Sequence, residues 1–275
     1  GSVSVYKRQI LDVLAKPGTC LSLRVPARHR MSLDDWVMAS SMTAETAHLL
    51  EQVVVRKLAF LVTGGTGSGK TTLLASLLGC VPAHERIVIV EDSRELSPDH
   101  EHVVSLEARA ANAEGRGQVS LTDLVRQSLR MRPDRVVLGE VRGAELRDML
   151  MALNTGHEGG CGTVHANGVQ EVPARLEALA ALSGMNRPAA HAQVAAAFHL
   201  VLHLVRGPKG RRLAQIGVFE HVDGCAVVTQ ALVFDEDLVC TPGPGAERLG
   251  DLVGEQTVSR VVQGQGRPRR ARRAA

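Results

Sequence analysis

The chain has 275 residues, of which 44% are hydrophobic and 22% charged, and its formal net charge is +3. That length accommodates one large or two modest domains with a sizeable core, and no apolar run reaches the roughly 18 residues that suggest a membrane span. An aromatic content of 2% removes the stacking platforms of a single-strand nucleic-acid binder. The five cysteines are scattered without a CxxC pair, which argues against a disulfide framework or zinc site and for a reducing compartment.

The first nine residues are set aside. Gly1-Ser2 reads as a tag remnant and Val5-Tyr6-Lys7-Arg8-Gln9 as an adapter-derived run, so residues 1–9 are expected to carry no fold and the chain to be an N-terminally truncated fragment. No basic start followed by an apolar stretch marks a signal peptide.

Residues 10–56 read as the end of a smaller α+β domain and its linker. Cys20 to Val25 alternates like a strand, residues 33–38 form a short helix behind Ser32, and Thr43 caps a helix through Val55. From about residue 57 to 235, apolar runs and helical patterns alternate, which points to an α/β domain with a mostly parallel sheet. Strands are expected at 57–63, 86–91, 103–106, 135–141 and 160–165. Helices are expected at 72–78, at 121–131 behind a Ser120-to-Asp123 capping box, and at 144–154, with two more in 170–199. The turns Gly207-Pro208 and Asp223-Gly224 divide 200–234 into β-hairpins. Residues 236–275, rich in Gly, Pro, Arg and Gln, are expected to be a weakly ordered tail.

Between the first strand and its helix stands Gly64-Gly65-Thr66-Gly67-Ser68-Gly69-Lys70-Thr71, followed by Thr72. Glycines let successive backbone N–H groups turn around a phosphate, and the helix N-terminus adds partial positive charge. Lys70 is placed to reach β- and γ-phosphates and the Thr71 hydroxyl to sit on Mg²⁺.

In an open parallel sheet, ligands lie beyond the carboxyl ends of the strands. Glu91 and Asp92, Glu140, and His165 all stand at such ends. Glu140 is a candidate to orient water or to hold Mg²⁺ through water, although Leu138-Gly139 replaces the aspartate that usually precedes it. Glu91 is favoured over Asp92 as the carboxylate that activates water, a loop cap being the alternative for either. His165 is better placed than His157 to sense the γ-phosphate. Among the arginines, Arg24, Arg28, Arg30, Arg109, Arg116, Arg126, Arg130, Arg132 and Arg142 include ordinary surface residues and candidates for fingers supplied across a subunit boundary.

Four segments then occur in order: 64–71; Glu91-Asp92-Ser93-Arg94-Glu95-Leu96; 131–143; and Asn154-Thr155-Gly156-His157 with Thr163-Val164-His165-Ala166-Asn167. Together they resemble the Walker A, Asp, Walker B and His boxes of the type II/IV secretion traffic ATPases, and the segment 112–117 resembles the tight-adherence pilus branch. The likeness covers about residues 20–235. It implies a RecA-like ATPase domain behind an N-terminal domain, assembled as a homo-hexamer that uses ATP and Mg²⁺. It also implies a place at the cytoplasmic face of the inner membrane, acting on a membrane platform protein to drive pilus assembly or secretion, with membrane contact through that partner. By the same resemblance Lys70 and Thr71 are the Walker A pair, Glu91 the Asp-box glutamate, Glu140 the Walker B glutamate and His165 the second His-box histidine. Arg24 lies in a strand similar to one that brings arginine to the nucleotide. A conjugative DNA-transfer ATPase and a non-hydrolysing nucleotide-binding scaffold are the alternatives.

Overall fold

The computed structural model describes residues 6–10, 16, 18–24, 30–112 and 114–264. The chain divides into two compact units, residues 1–30 and 31–275. In the first, β1 (Tyr6–Ile10) pairs antiparallel with β2 (Cys20–Arg24), Tyr6 opposite Arg24. The segment set aside at the amino end therefore supplies a strand. Arg28 and the arginines of the tail beyond 264 lie outside the described residues.

In the second unit α1 (Leu33–Met38) and α2 (Ala44–Val55) precede the first sheet strand. Both belong with the main body, so the division falls at residue 30 rather than near 56. Ser32 caps α1 reciprocally with Asp35, and Thr43 accepts the Thr46 N–H of α2. The elements that follow are β3 (Phe60–Gly64), α3 (Lys70–Leu78), β4 (Ile87–Glu91), β5 (Val103–Glu107), α4 (Leu121–Leu129) and β6 (Arg135–Leu138). Then come α5 (Glu145–Asn154), β7 (Cys161–Val164), a 3-10 turn (Val169–Glu171), α6 (Val172–Leu182) and α7 (Arg187–Ala197). The chain continues with β8 (Leu200–Gly207), β9 (Gly210–Val222), β10 (Cys225–Phe234), β11 (Cys240–Pro242), α8 (Ala246–Val253) and α9 (Glu255–Gln263).

One nine-stranded sheet runs in the order β11-β10-β9-β8-β3-β7-β6-β4-β5. From β8 to β5 all neighbours are parallel, whereas β9, β10 and β11 extend the sheet antiparallel. The β9–β10 turn places Asp223 and Gly224 both at positive φ, as a two-residue hairpin turn requires.

Strands buried on both faces divide the core in two. Phe60, Val62, Ile87 and Ile89 face α1, α2, α3, α8 and α9, through Trp36, Leu49, Leu73, Leu249 and Val258 among others. Leu61, Val90, Leu138 and Val201 face α4 to α7, through Val125, Leu146, Leu176 and Val194. The tail expectation fails over residues 240–263. Leu249, Val253, Val258 and Val261 recur at helical spacing and are buried against α2 and the sheet, which stabilises two helices despite the polar composition between them.

At the amino ends of β3, β4 and β6 a charged cluster closes the sheet. Arg135 Nε donates to Glu85 Oε2 at 2.7 Å, its Nη2 donates to the Val54 carbonyl at 2.8 Å, and Lys57 lies 3.3 Å from Glu85 Oε1. No helix among the described residues is long and apolar enough to cross a membrane.

Candidate functional site: a glycine loop between two charged flanks

The buried, apolar β3 ends at Gly64, and α3 begins at Lys70, so residues 65–69 form the loop between strand and helix. Gly67 and Gly69 stand at φ +73° and +102°, conformations that side chains with a Cβ rarely adopt. Gly65, Thr66 and Gly67 are exposed, Gly69 and Thr71 half-buried, and Ser68 buried. The Ser68 hydroxyl has no hydrogen-bond partner among the described residues. Lys70 folds back over the loop: its ammonium donates to the Gly64 carbonyl at 2.9 Å and the Gly65 carbonyl at 3.1 Å, and lies 3.5 Å from His165 Nδ1. Burial lowers the Lys70 pKa, an effect that Glu140 partly opposes. Thr71 follows at the start of α3, and the next residue, Thr72, accepts the Ser76 hydroxyl on its carbonyl.

The β7 and β6 side brings three more groups in. Strand β6 stops at Leu138, earlier than its apolar run suggests. Beyond it the chain stays tied to β7 through Val141 N–H to the Thr163 carbonyl and Thr163 Oγ1–H to the Gly139 carbonyl. Glu140 therefore lies two residues past the strand and His165 one residue past β7. His165 Nε2 is 3.4 Å from Glu140 Oε1, and Arg142 Nη2 is 2.5 Å from Glu140 Oε2. Arg142 also reaches Asp92 at 3.6 Å. Burial pushes the Glu140 carboxyl up, but the Arg142 hydrogen bond and charge, with His165 and Lys70, outweigh it and hold it below its ordinary value. The His165 pKa is lowered, first by burial and then by Lys70. A groove of about 460 Å³ opens beside Arg142, lined by Asp92, Arg109, Thr122 and Glu145.

Glu91, the carboxylate expected to activate water, is the last residue of β4. It is buried, its Oε1 accepts the backbone N–H groups of Glu95 at 3.1 Å and Leu96 at 3.0 Å, and a Cβ at Gly139 would sit 2.5 Å from its Cγ. These two bonds let the carboxylate cap the loop 92–96. Burial raises its pKa to about 7, the two N–H bonds offsetting part of the effect. The loop so held carries Glu95, whose charge acts on both Lys70 and Arg142. Glu95 belongs to the segment 91–96 that carries the family resemblance. Only the return of the chain over Glu91 brings it to the site.

Among the described residues, Asp92 meets the cluster through Arg142. His157 precedes β7, at the opposite end of the parallel strands from Lys70. Arg126 pairs with Asp148 at 2.9 Å, and Arg109 Nε donates to the Gly117 carbonyl. Arg24 lies on β2 in the other unit. No group of three or more His, Cys, Asp or Glu side chains among the described residues is arranged to hold a metal ion.

A model of the family described as type II/IV secretion system protein matches residues 11–237. A Mycobacterium tuberculosis protein provisionally assigned to conjugal transfer is 55% identical over 225 residues, 82% of this chain and 64% of the relative. The conjugal transfer protein TrbB of Rhizobium radiobacter is 32% identical, over 75% of this chain and 61% of its own length. The chain thus spans under two thirds of these relatives. The crystal structure of the VirB11 ATPase from the Brucella suis type IV secretion system, in complex with sulphate, superposes with a TM-score of 0.55 at 26% identity, covering 73% of this chain and 66% of that one. The matched family region, the glycine loop and the mixed sheet that presents it agree: this chain belongs to the type II/IV secretion system protein family.

Proposed function

We propose that the protein hydrolyses ATP and that the energy drives a bacterial secretion, pilus-assembly or conjugation machine. The observation that carries this reading is the relay at the mouth of a glycine loop, in which His165 lies 3.5 Å from Lys70 and 3.4 Å from Glu140. Family membership and the likeness to a secretion ATPase support it.

In this reading residues 64–72 form a RecA-like phosphate cradle. Gly64, Gly65, Thr66, Gly67, Ser68 and Gly69 surround the phosphates, and the partnerless buried Ser68 hydroxyl suits a polar ligand. Lys70 leaves the Gly64 and Gly65 carbonyls for the β- and γ-phosphates. Thr71, with Glu140 through water, would hold Mg²⁺, which when bound neutralises developing charge on the phosphates. Glu140 and Glu95 position the attacking water, His165 contacts the γ-phosphate, and Glu91 fixes the loop that carries Glu95. Positioning and charge stabilisation are most of what phosphoryl transfer requires of a protein. Arg24, in the smaller unit, is assigned to the nucleotide on the strength of the family resemblance. So are the homo-hexamer, an inner-membrane platform partner and a place at the cytoplasmic face of that membrane.

Two readings of the cargo remain within the family. The 112–117 segment favours tight-adherence pilus assembly, whereas the names of the conjugal-transfer relatives favour DNA transfer. DNA that stimulates turnover with a steep salt dependence supports the second, and DNA-indifferent turnover the first.

Steady-state ATP hydrolysis with Mg²⁺ tests the enzyme assignment. Lys70→Ala is expected to lower turnover at least about 100-fold, the scale of losing one preorganised charge-stabilising donor. Turnover equal to the parent's overturns the assignment.

A further inference from the structure

The opposite flank of the loop carries a second charged device. Strand β8 runs parallel to β3 with Leu204 in register with Gly64, and a Cβ at Gly64 would stand 2.3 Å from the Leu204 carbonyl oxygen. The chain continues past the loop through Arg206, turns at Pro208-Lys209, and returns with Arg211 directly opposite Arg206. Arg211 Nε donates to the Gly67 carbonyl at 2.9 Å. Its Cδ lies 3.1 Å from where a Cβ on Gly69 would be, and the Trp36 ring stands at the same distance from that point. Arg206 Nη1 is 3.8 Å from the corresponding position on Gly67.

Two guanidiniums facing each other across antiparallel strands repel. Among the described residues no carboxylate forms an ion pair with either; the one acid paired to this hairpin, Asp237, meets Lys209. Lys70 and the N-terminus of α3 add positive charge to the same loop. At this exposed site, with Glu236 Oε1 3.9 Å from where a Cβ on Gly207 would be, the repulsion is small, and the arrangement becomes favourable when an anion enters between the cations.

We propose that the β8–β9 hairpin is a clamp, supplied by the same chain, for the phosphate chain of a nucleoside di- or triphosphate. Arg206, exposed and beside Gly67, contacts the phosphates. Arg211 is a positioning residue: by holding the Gly67 carbonyl it fixes the orientation of that peptide in the loop. The proposal rests on the nucleotide-binding reading above and adds a cationic flank from β8 and β9 to the Glu140–His165 flank from β6 and β7.

Calorimetric titration with ATP and with ADP, in Mg²⁺, tests it on the parent, Arg206→Gln, Arg206→Lys, Arg211→Gln and Lys70→Ala, each also melted without nucleotide. Arg206→Gln is expected to weaken both ligands about tenfold, to flatten the salt dependence of binding, and to melt no lower than the parent because the facing charges are relieved. Arg206→Lys recovers part of the affinity. If the parent binds ATP and Lys70→Ala loses it while Arg206→Gln and Arg211→Gln bind as the parent does, the clamp is wrong and the nucleotide site stands. If the weaker binding of both arginine variants comes with an equal loss of melting temperature, their role is structural and the clamp is again wrong. A parent that binds neither nucleotide overturns the site and the clamp together.

Discussion

The two ends of the parallel sheet each hold a carboxylate, a guanidinium and a lysine, and they use them in opposite ways. At the amino ends Glu85 and Arg135 are 4% and 1% exposed and meet at 2.7 Å, with Arg135 also on the Val54 carbonyl. At the carboxyl ends Glu140 and Arg142 meet at 2.5 Å but are 23% and 59% exposed, and the acid is shared with His165. The first cluster is desolvated and locked between elements. The second keeps contact with solvent and with the loop, so its partners can exchange when a ligand arrives. The same residue types thus give rigidity at one end and, in the proposed function, chemistry at the other, and burial decides which.

Breaking each pair sharpens the contrast. Glu85→Gln leaves the Arg135 charge buried and unpaired, so chemical denaturation is expected to show a loss of about 3–5 kcal/mol. Turnover per folded molecule should hold. Glu140→Gln should do the reverse, lowering turnover about 10²–10³-fold with ATP binding retained, while stability changes by less than about 1 kcal/mol because the pair is partly exposed. A Glu140→Gln protein that unfolds as readily as Glu85→Gln would erase the distinction.

Glu91 offers a smaller test at the boundary between the two behaviours. Its pKa rises from 4.5 in the unfolded reference to about 7 in the fold, so between those values the folded chain binds the extra proton. The stability from Glu91 is fully present below pH 4.5 and is lost as pH rises through about 7. Glu91→Gln keeps an oxygen for the Glu95 and Leu96 N–H groups and removes the titration. Denaturation midpoints of parent and variant should coincide near pH 4, and at pH 8 the variant should be the more stable by on the order of 1–2 kcal/mol. As a loop cap it should also retain most of its turnover, whereas a loss of 100-fold or more returns Glu91 to the role of proton acceptor.

Much of this was legible locally. The loop from Gly64 to Thr71, the Ser120–Asp123 and Thr43 caps and the Asp223-Gly224 turn are each written in consecutive residues, and local chemistry settles them. What escaped depends on contacts distant in sequence. Helices α8 and α9 were hidden because Gly243, Gly245 and Gly254 and a polar surface dominate their composition, although Leu249, Val253, Val258 and Val261 already carried the helical period. Glu91 stands out locally as a charged strand end, whereas nothing local shows the chain folding back so that Glu91 holds the Glu95 and Leu96 N–H groups. Nothing in the consecutive residues marks Arg206 and Arg211, because only strand register sets them opposite each other beside Gly67.

A crystal structure of the protein with a non-hydrolysable ATP analogue and Mg²⁺ tests the central claim most directly. The account predicts the γ-phosphate within hydrogen-bond distance of Lys70 Nζ, with Glu140 and His165 on one side of the loop and Arg206 on the other. An analogue seated away from residues 64–72, or Lys70 still bound to the Gly64 and Gly65 carbonyls with the analogue in place, would contradict it.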